Sequence, residues 1–325
     1  MGRDIFLQGQ HSNLSVYESG SGYGIAQTWR INGACPEGTI PIRRASHASH
    51  AIFPSPSFLS VPRLRLSSLA KEAATPGQEW AIDYSLNNPY LGGSADMFLW
   101  DIYVEPDEYS ATYLSIEGGY PANTKLHSDQ DQTLPPYEDD YDILFKSQIG
   151  AGWMDDAKTS CLNNACPGFV QTNPNVFLGG GFTNTSQIDG LQFYIVITIY
   201  RELDDYKWWV LINHEEIGYY PGELFHDFYE GALVQRGGVI LNNMPGGTHT
   251  SIHMGSGHFA SEGLARAGLI GNYLGISGTG QLIQDPPLDS VVTSPGCYDL
   301  KQLGTPSGAP GFYTLYGGPG GPYCA

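Results

Sequence analysis

The amino-acid sequence predicts an all-β protein: an antiparallel β-sandwich of two sheets, jelly-roll or concanavalin-like, with very little helix. Apolar and polar residues alternate repeatedly from Glu79 onward, a period that places successive side chains on opposite faces of a strand. Glycine, proline and tyrosine are abundant, at 42, 22 and 21 residues, and these residues are typical of turns and strand faces. Many short strands joined by turns are therefore expected.

The strands can be followed along the chain. Residues 80–86 and 98–104 carry apolar side chains at every second position, and so does the longer run at 191–200. An aspartate-rich turn joins that run to residues 207–212, which predicts a β-hairpin. One short helix is expected at about residues 222–230, because a proline precedes it and proline favours the first helical turn.

Charge divides the chain into a front part and a body. Residues 1–71 hold seven Lys or Arg against three Asp or Glu, and the rest of the chain holds eight against thirty. With composition, this predicts an N-terminal segment (1–44), a linker rich in Ser, Pro, Ala and His (45–77) and a β-sandwich domain (78–325). A basic front beside an acidic body suggests that the two bind each other, although a flexible tail fits the same pattern.

The net charge of −18 limits the partners of this protein. Nucleic acid is not expected, because phosphate binding needs a basic stripe. No apolar run is long enough to cross a membrane, so no membrane partner is expected. Sheet faces rich in Tyr, Gln, Thr and Ser predict a groove for an extended polymer, either peptide or glycan, and the sheet edges allow self-assembly.

Four short motifs stand out from this background. They are Cys35-Pro-Glu-Gly-Thr-Ile-Pro-Ile-Arg-Arg44, Cys161-Leu-Asn-Asn-Ala-Cys-Pro-Gly-Phe-Val-Gln171, Ile217-Gly-Tyr-Tyr-Pro-Gly-Glu-Leu-Phe225 and Met254-Gly-Ser-Gly-His-Phe-Ala-Ser-Glu-Gly263. In combination they resemble the neprosin family, whose type member is a secreted glutamic endopeptidase that cleaves at proline. The resemblance implies a secreted precursor in which residues 1–44 resemble an activation peptide, no cofactor, and proline-directed hydrolysis in acid.

The five cysteines are interpreted through the same resemblance. It pairs Cys161 with Cys166 and Cys297 with Cys324, and paired cysteines imply an oxidising compartment. Cys35 is left over. In the family a cysteine of the front segment pairs further upstream, so the natural chain is expected to extend beyond this N-terminus.

Glu117 is the first candidate catalytic residue. Tyr113, Ser115 and Glu117 alternate with Leu114 and Ile116, so the three polar side chains share the face away from the core. The stretch resembles the family segment that contains its first catalytic glutamate, with Tyr113 and Ser115 as candidate substrate contacts. A carboxylate can take a proton from water, and a second acidic group nearby can remain protonated as a donor.

The second acid of the family pattern is missing from its expected position. After the pair Gly237-Gly238 the chain carries Val239, which can neither donate nor accept a proton. Three interpretations stay open: an inactive homologue, replacement by another acid such as Glu262, or an alignment that is off by a residue, in which case Gln235 is a neighbour of interest. Related glutamic peptidases pair a glutamate with a glutamine, so Gln235 is a candidate substrate-binding residue.

The remaining candidates concern the surface. Tyr194, on the polar face of the 191–200 run, is a candidate substrate contact. Asn13 and Asn184 each begin a glycosylation sequon, which fits an extracellular protein. His249 and His253 are four residues apart, but a context rich in Thr and Gly is not helical, so no metal site is predicted.

Overall fold

A computed structural model gives the three-dimensional structure of the chain. It describes side chains or backbone for most of the body and for parts of the front segment. Within strands, residues 86–88, 118, 124–131, 148–155 and 159–162 are described by their backbone only. The described residues are 27, 29–30, 33–42, 77–104, 108–118, 124–131, 148–155, 159–162, 168–225, 228–244, 248–284, 286–322 and 324.

The described part of the chain is built from antiparallel strands, which confirms the predicted all-β class. Among the described residues of the body, helical geometry is confined to two 3₁₀ turns, Gly222–Leu224 and Ala260–Glu262. The strands are β1 (Gln78–Phe98), β2 (Ser110–Gly118), β3 (Thr124–Asp131), β4 (Gln148–Asp155), β5 (Thr159–Leu162), β6 (Val170–Gln171), β7 (Tyr194–Arg201), β8 (Trp208–Ile212), β9 (Glu215–Tyr220), β10 (Gly231–Leu241), β11 (Gly268–Ser277), β12 (Leu282–Ile283), β13 (Asp289–Val292), β14 (Asp299–Gly304) and β15 (Phe312–Gly317).

Strand β1 connects the two halves of the fold. Its first part, as far as residue 86, pairs with β10 and β13, and the part from Tyr90 onward pairs with β7 and β11. The register with β10 shifts between Leu86 and Tyr90, where β1 passes from one half to the other. Strands β2 to β5 extend the first half beyond β10, and β8, β9 and β6 extend the second half beyond β7. The fifteen strands of the described residues thus join in one hydrogen-bonded set, with β15 and β14 beyond β11.

The two halves share one hydrophobic core. Leu114 and Ile116 of β2 are completely buried in the same cluster as Ile197 of β7 and Ile270 of β11. The even-numbered side chains of β2 therefore face inward, and the odd-numbered ones, including Glu117, lie on the other face. This is the layered arrangement expected from the alternation in the sequence.

A buried ion pair joins β1 to β10 within the first half, and its neighbours on β11 and β15 link it to the second half. Arg236 of β10 is 1% exposed and its Nη2 lies 3.3 Å from Oδ2 of Asp83, which is fully buried. Gln302 donates to Asp83 Oδ1 at 2.8 Å, and the Thr314 hydroxyl donates to Oδ2. The guanidinium carbon of Arg236 also lies 3.9 Å from the ring centroid of Tyr273. A buried charge is costly unless it is paired and hydrogen-bonded, so this network holds β1, β10 and β15 in one arrangement.

The helix predicted at residues 222–230 is wrong in extent, because only Gly222–Leu224 forms a 3₁₀ turn. Phe225 is already extended, with φ −116° and ψ 100°. Phe225 and Phe228 both lie in the core, where Phe228 stacks on Trp208 at 4.5 Å between ring centroids. Tertiary packing of these aromatic rings has overridden the local helical signal.

Candidate functional site

The register between β2 and β10 brings four predicted site residues together. Ser115 lies opposite Gln235, Glu117 opposite Leu233, and Tyr113 opposite Gly237. Partners directly opposite each other in an antiparallel pair share a face of the sheet. Glu117, Ser115, Tyr113 and Gln235 therefore lie on the same face, the one away from the shared core.

Gln235 is held in place on this face by Tyr113. The Tyr113 hydroxyl donates to Oε1 of Gln235 at 3.2 Å, and both side chains are buried. Gln235 is the diagonal neighbour of Glu117, and diagonal pairs lie about 7–8 Å apart, within reach of two long side chains. Glu117 itself is only 6% exposed. The arrangement places one carboxyl and one amide on adjacent strands, where both side chains are largely shielded from solvent.

Val239 lies far from Glu117. It pairs with Ala111, six residues along β2 from Glu117, which corresponds to about 20 Å along a strand. Val239 is 6% exposed and packs with Trp80, Ile82 and other apolar side chains on this face. An acid at position 239 would therefore not touch Glu117, and Gln235 is much the nearer partner.

Glu262 has a different place in the fold. It is the last residue of the 3₁₀ turn Ala260–Glu262, which Phe259 precedes. Its Oε1 accepts the Phe259 N–H at 3.1 Å, and its Oε2 lies 2.8 Å from Nδ1 of His258. The hydrogen bond from His258 is the main reason that the pKa of Glu262 is lowered. Asp299 of β14 accepts from the same turn through the Ala260 N–H. These contacts give Glu262 a capping role beside β14 and do not bring it to Glu117.

Tyr194 also lies apart from the Glu117 face. It belongs to β7, pairs with Phe98 at the far end of β1, and stacks on the Phe98 ring at 5.3 Å between centroids. Burial, with the nearby carboxyl of Asp96, raises the pKa of Tyr194 to about 12. The structure therefore places Tyr194 in a separate polar cluster around Asp96.

The front segment is docked on the body through Gln27, which sequence reasoning missed. Gln27 is 2% exposed; its amide donates to the Phe177 carbonyl at 2.9 Å and accepts the Phe177 N–H at 3.0 Å. Trp29 packs edge-on against the Phe177 ring at 5.8 Å between centroids. Further along, Gln171 donates to the Pro41 carbonyl at 2.9 Å. Two described parts of this segment, at Gln27 and at Pro41, are thus tied to the 171–182 region.

The cysteines are only partly covered by the described residues. The predicted disulfide between Cys297 and Cys324 is present, whereas Cys35 is free. His249 lies beside the disulfide, with the three potential ligand atoms within 4.8 Å, but the disulfide removes the two thiolates that a metal would need. The predicted Cys161–Cys166 bridge is not covered, because Cys161 is described by its backbone only and Cys166 lies outside the described residues. The Asn13 sequon also lies outside them, and Asn184 is exposed.

These features define the class of the protein: an antiparallel, layered β protein with a glutamate and a glutamine on one sheet face. The family model named Neprosin matches residues 106–319, and the chain belongs to the neprosin family. No helix among the described residues is long and apolar enough to cross a membrane.

Two solved structures show weaker likenesses. A crystal structure of Scytalido-glutamic peptidase with a peptide-based transition state analog matches with a TM-score of 0.38 at 10% identity, covering 74% of this chain and 98% of the peptidase chain. A beta-porphyranase from the human gut bacterium Bacteroides plebeius matches with a TM-score of 0.26 at 8% identity, covering 48% of this chain and 53% of that one.

Proposed function

We propose that this protein is a secreted endopeptidase that hydrolyses peptides at proline in acidic fluid, with Glu117 and Gln235 as its catalytic pair. The observation that carries the proposal is the register of β2 with β10, which sets these two side chains on one face as diagonal neighbours. Membership of the neprosin family supports the reaction class. Proline preference, acidic conditions and secretion rest on the resemblance of the sequence motifs.

The chemistry follows from the two functional groups. The Glu117 carboxylate takes a proton from a water molecule, and the hydroxide formed attacks the carbonyl carbon of the peptide bond. The negative charge that develops on the carbonyl oxygen needs a hydrogen-bond donor, which the amide NH₂ of Gln235 supplies. Tyr113 holds Oε1 of the amide and so orients it. Glu117 then passes its proton to the departing nitrogen as the C–N bond breaks.

The same proposal gives the front segment an inhibitory role. Residues 1–71, which comprise this segment and most of the linker, hold seven basic against three acidic residues, whereas the rest of the chain is strongly acidic. Gln27 and Pro41 are tied to the 171–182 region. Acid neutralises carboxylates of the body, which weakens its attraction for the basic segment. Incubation at about pH 4 should shorten the chain within residues 45–77, as measured by intact mass. A chain that keeps its full mass would refute self-activation without testing catalysis by the body.

A proline-containing fluorogenic peptide at acid pH tests the catalytic pair. Glu117→Gln should lower kcat/KM by about 10²–10⁴, the usual contribution of a general base. Gln235→Ala should lower it by about 10²–10³, as for loss of one oxyanion donor. Glu223→Gln, the same chemical change at an exposed site, is the matched control and should leave the rate unchanged. Equal rates for wild type and Glu117→Gln would overturn the mechanism.

A second candidate function is favoured by Val239. The position where the family pattern calls for an acid is packed in an apolar cluster, which suits a catalytically inactive homologue that binds a peptide or glycan polymer, or copies of itself. Such a protein would bind the peptide probe at acid pH and release it uncleaved. Fluorescence anisotropy with the intact peptide, followed by mass analysis of the recovered probe, distinguishes this function from hydrolysis.

A further inference from the structure

A second polar cluster lies on the other half of the fold, away from the Glu117 face. It consists of Asp96 of β1, Asn272 of β11, Tyr313 of β15 and Tyr194 of β7. Tyr313 donates to Oδ1 of Asn272 at 2.6 Å, and Nδ2 of Asn272 donates to Oδ2 of Asp96, also at 2.6 Å. A chain of hydrogen bonds across three strands thus fixes the carboxyl and the amide side by side.

The backbone around Asn272 is shaped for this contact. Asn272 has φ 47°, in the left-handed region that asparagine tolerates, and the pairing of β11 shifts register on both of its sides. Such irregularities re-aim a side chain out of the regular pleat. Gly271, directly opposite Asp96, leaves room for the Tyr313 ring, because a Cβ there would lie 2.9 Å from Cε1 of Tyr313. The cluster is therefore a built feature of the sheet.

Two polar atoms of the cluster have no hydrogen bond within the described part of the chain. Oδ1 of Asp96 accepts none, although Asp96 is 9% exposed, and the Tyr194 hydroxyl makes none. The carboxyl is nine-tenths removed from water, and burial raises its pKa to about 7. Tyr194 is half-buried, with its ring supported by stacking on the buried Phe98. An acceptor, a hydroxyl and an aromatic face are thus presented together.

We propose that this cluster, Asp96, Asn272, Tyr313 and Tyr194, is a binding subsite for a neutral saccharide ring. The ring stacks on Tyr194, while Asp96 Oδ1 and the Tyr194 hydroxyl hydrogen-bond its hydroxyl groups. Sugar hydroxyls both donate and accept, which matches a carboxyl, an amide and a phenol placed together. Aromatic side chains are the usual platform for an apolar ring face in such pockets.

Other ligand classes fit the site less well. Asp96 lies in a strand that is hydrogen-bonded on both sides, to β7 and to β11, so a peptide cannot add to it as a further strand. An anion would face the carboxyl and the negative body. A divalent metal would find one carboxylate and an amide, whereas Ca²⁺ takes about six to eight oxygen ligands. A neutral ligand that approaches the sheet face is the class that remains.

Isothermal titration of the whole chain with cellotriose, mannotriose, xylotriose and laminaritriose tests the subsite. At least one trisaccharide should bind, and Tyr194→Ala should weaken that binding by tenfold or more. Asn272→Gly removes the amide while keeping a residue suited to positive φ, and it should weaken binding without unfolding the protein. Tyr206→Ala, an exposed tyrosine in the turn between β7 and β8, is the matched control and should bind as the wild type does.

The outcomes are distinct from those of the peptidase test. Loss of affinity in Tyr194→Ala and Asn272→Gly, with circular dichroism unchanged, supports the subsite even if Glu117→Gln has no effect on hydrolysis. No heat with any of the four trisaccharides at millimolar concentration overturns the proposal. Equal affinity of wild type and Tyr194→Ala overturns it as well, because the ligand would then lie elsewhere.

Discussion

Gly180 allows the docking of the front segment to be tested by adding a single methyl group. An alanine Cβ at this position would lie 2.4 Å from Nε2 and 2.6 Å from Cδ of Gln27, closer than real Cβ contacts come. The φ of Gly180 is not in the left-handed region, so alanine itself suits the backbone there. The substitution should therefore act on Gln27 and leave the fold of the body intact.

The size of the effect follows from what Gln27 must give up. Its side chain is held by hydrogen bonds with the Phe177 carbonyl, the Phe177 N–H and the Trp29 indole N–H. Only the two bonds to Phe177 cross from the segment to the body, and at about 0.5–1.5 kcal/mol each losing them costs about 1–3 kcal/mol. This corresponds to a roughly 5- to 150-fold shift from docked to undocked segment, since about 1.4 kcal/mol is tenfold.

Hydrogen exchange read by mass spectrometry measures this shift. In Gly180→Ala, peptides that cover residues 33–42 and the Phe177 amide should exchange faster by a similar factor, while those of β7 and β8 should not change. Gln27→Ala should have the same effect, and the double variant should add nothing, because both act on one contact. Unchanged exchange at Phe177 in Gly180→Ala would refute the docking of Gln27 against that glycine.

Three further predictions concern stability. Val239→Glu should destabilise the body by several kcal/mol in urea unfolding, because a charge is buried among apolar side chains. Val239→Ile should cost little. Equal urea midpoints for Val239→Glu and the wild type would contradict this packing. The pKa of Asp96 is raised by burial to about 7, above the unfolded value of about 3.9. The stability that protonated Asp96 contributes is therefore fully present below about pH 3.9 and is lost as the pH rises to about 7. Asp96→Asn should remove this fall, seen as a flatter Tm between about pH 4 and pH 8, and an unchanged slope would count against it. Replacing Cys297 and Cys324 by alanine should lower the free energy of unfolding by about 3–4 kcal/mol, from the loop-entropy relation for a separation of 27 residues. Reduction of the wild type should lower its Tm by the same amount as the double substitution does.

The sequence predicted what depends on a period of two. The alternation at residues 113–117 correctly placed Tyr113, Ser115 and Glu117 on one face, and the hairpin of β7 and β8 followed from its aspartate turn. It did not predict which residues of β10 lie opposite them, because this pairing is set by contacts between residues that are more than a hundred positions apart in the chain. That register is what separates Val239 from Glu117 and brings Gln235 close.

The contacts that sequence reasoning missed have no local pattern at all. Gln27 and Phe177 are 150 residues apart, and Asn272 and Asp96 are 176 apart. Each joins a polar side chain to a distant strand or loop, and nothing in the neighbouring residues marks either partner. The one indication near Asn272 was indirect, since an asparagine within an apolar strand is typical of an irregular backbone.

Acid should act in opposite directions on the two parts of this chain. The body carries thirty acidic residues after position 71 against eight basic ones, so protonation relieves its self-repulsion. Protonation of Asp96, whose pKa lies near 7, removes a buried charge and strengthens the fold. The same protonation reduces the attraction between the body and residues 1–71, which hold seven basic against three acidic residues. A fall in pH should therefore stabilise the sandwich while it loosens the segment docked through Gln27, which is the combination that the proposed activation in acidic fluid requires.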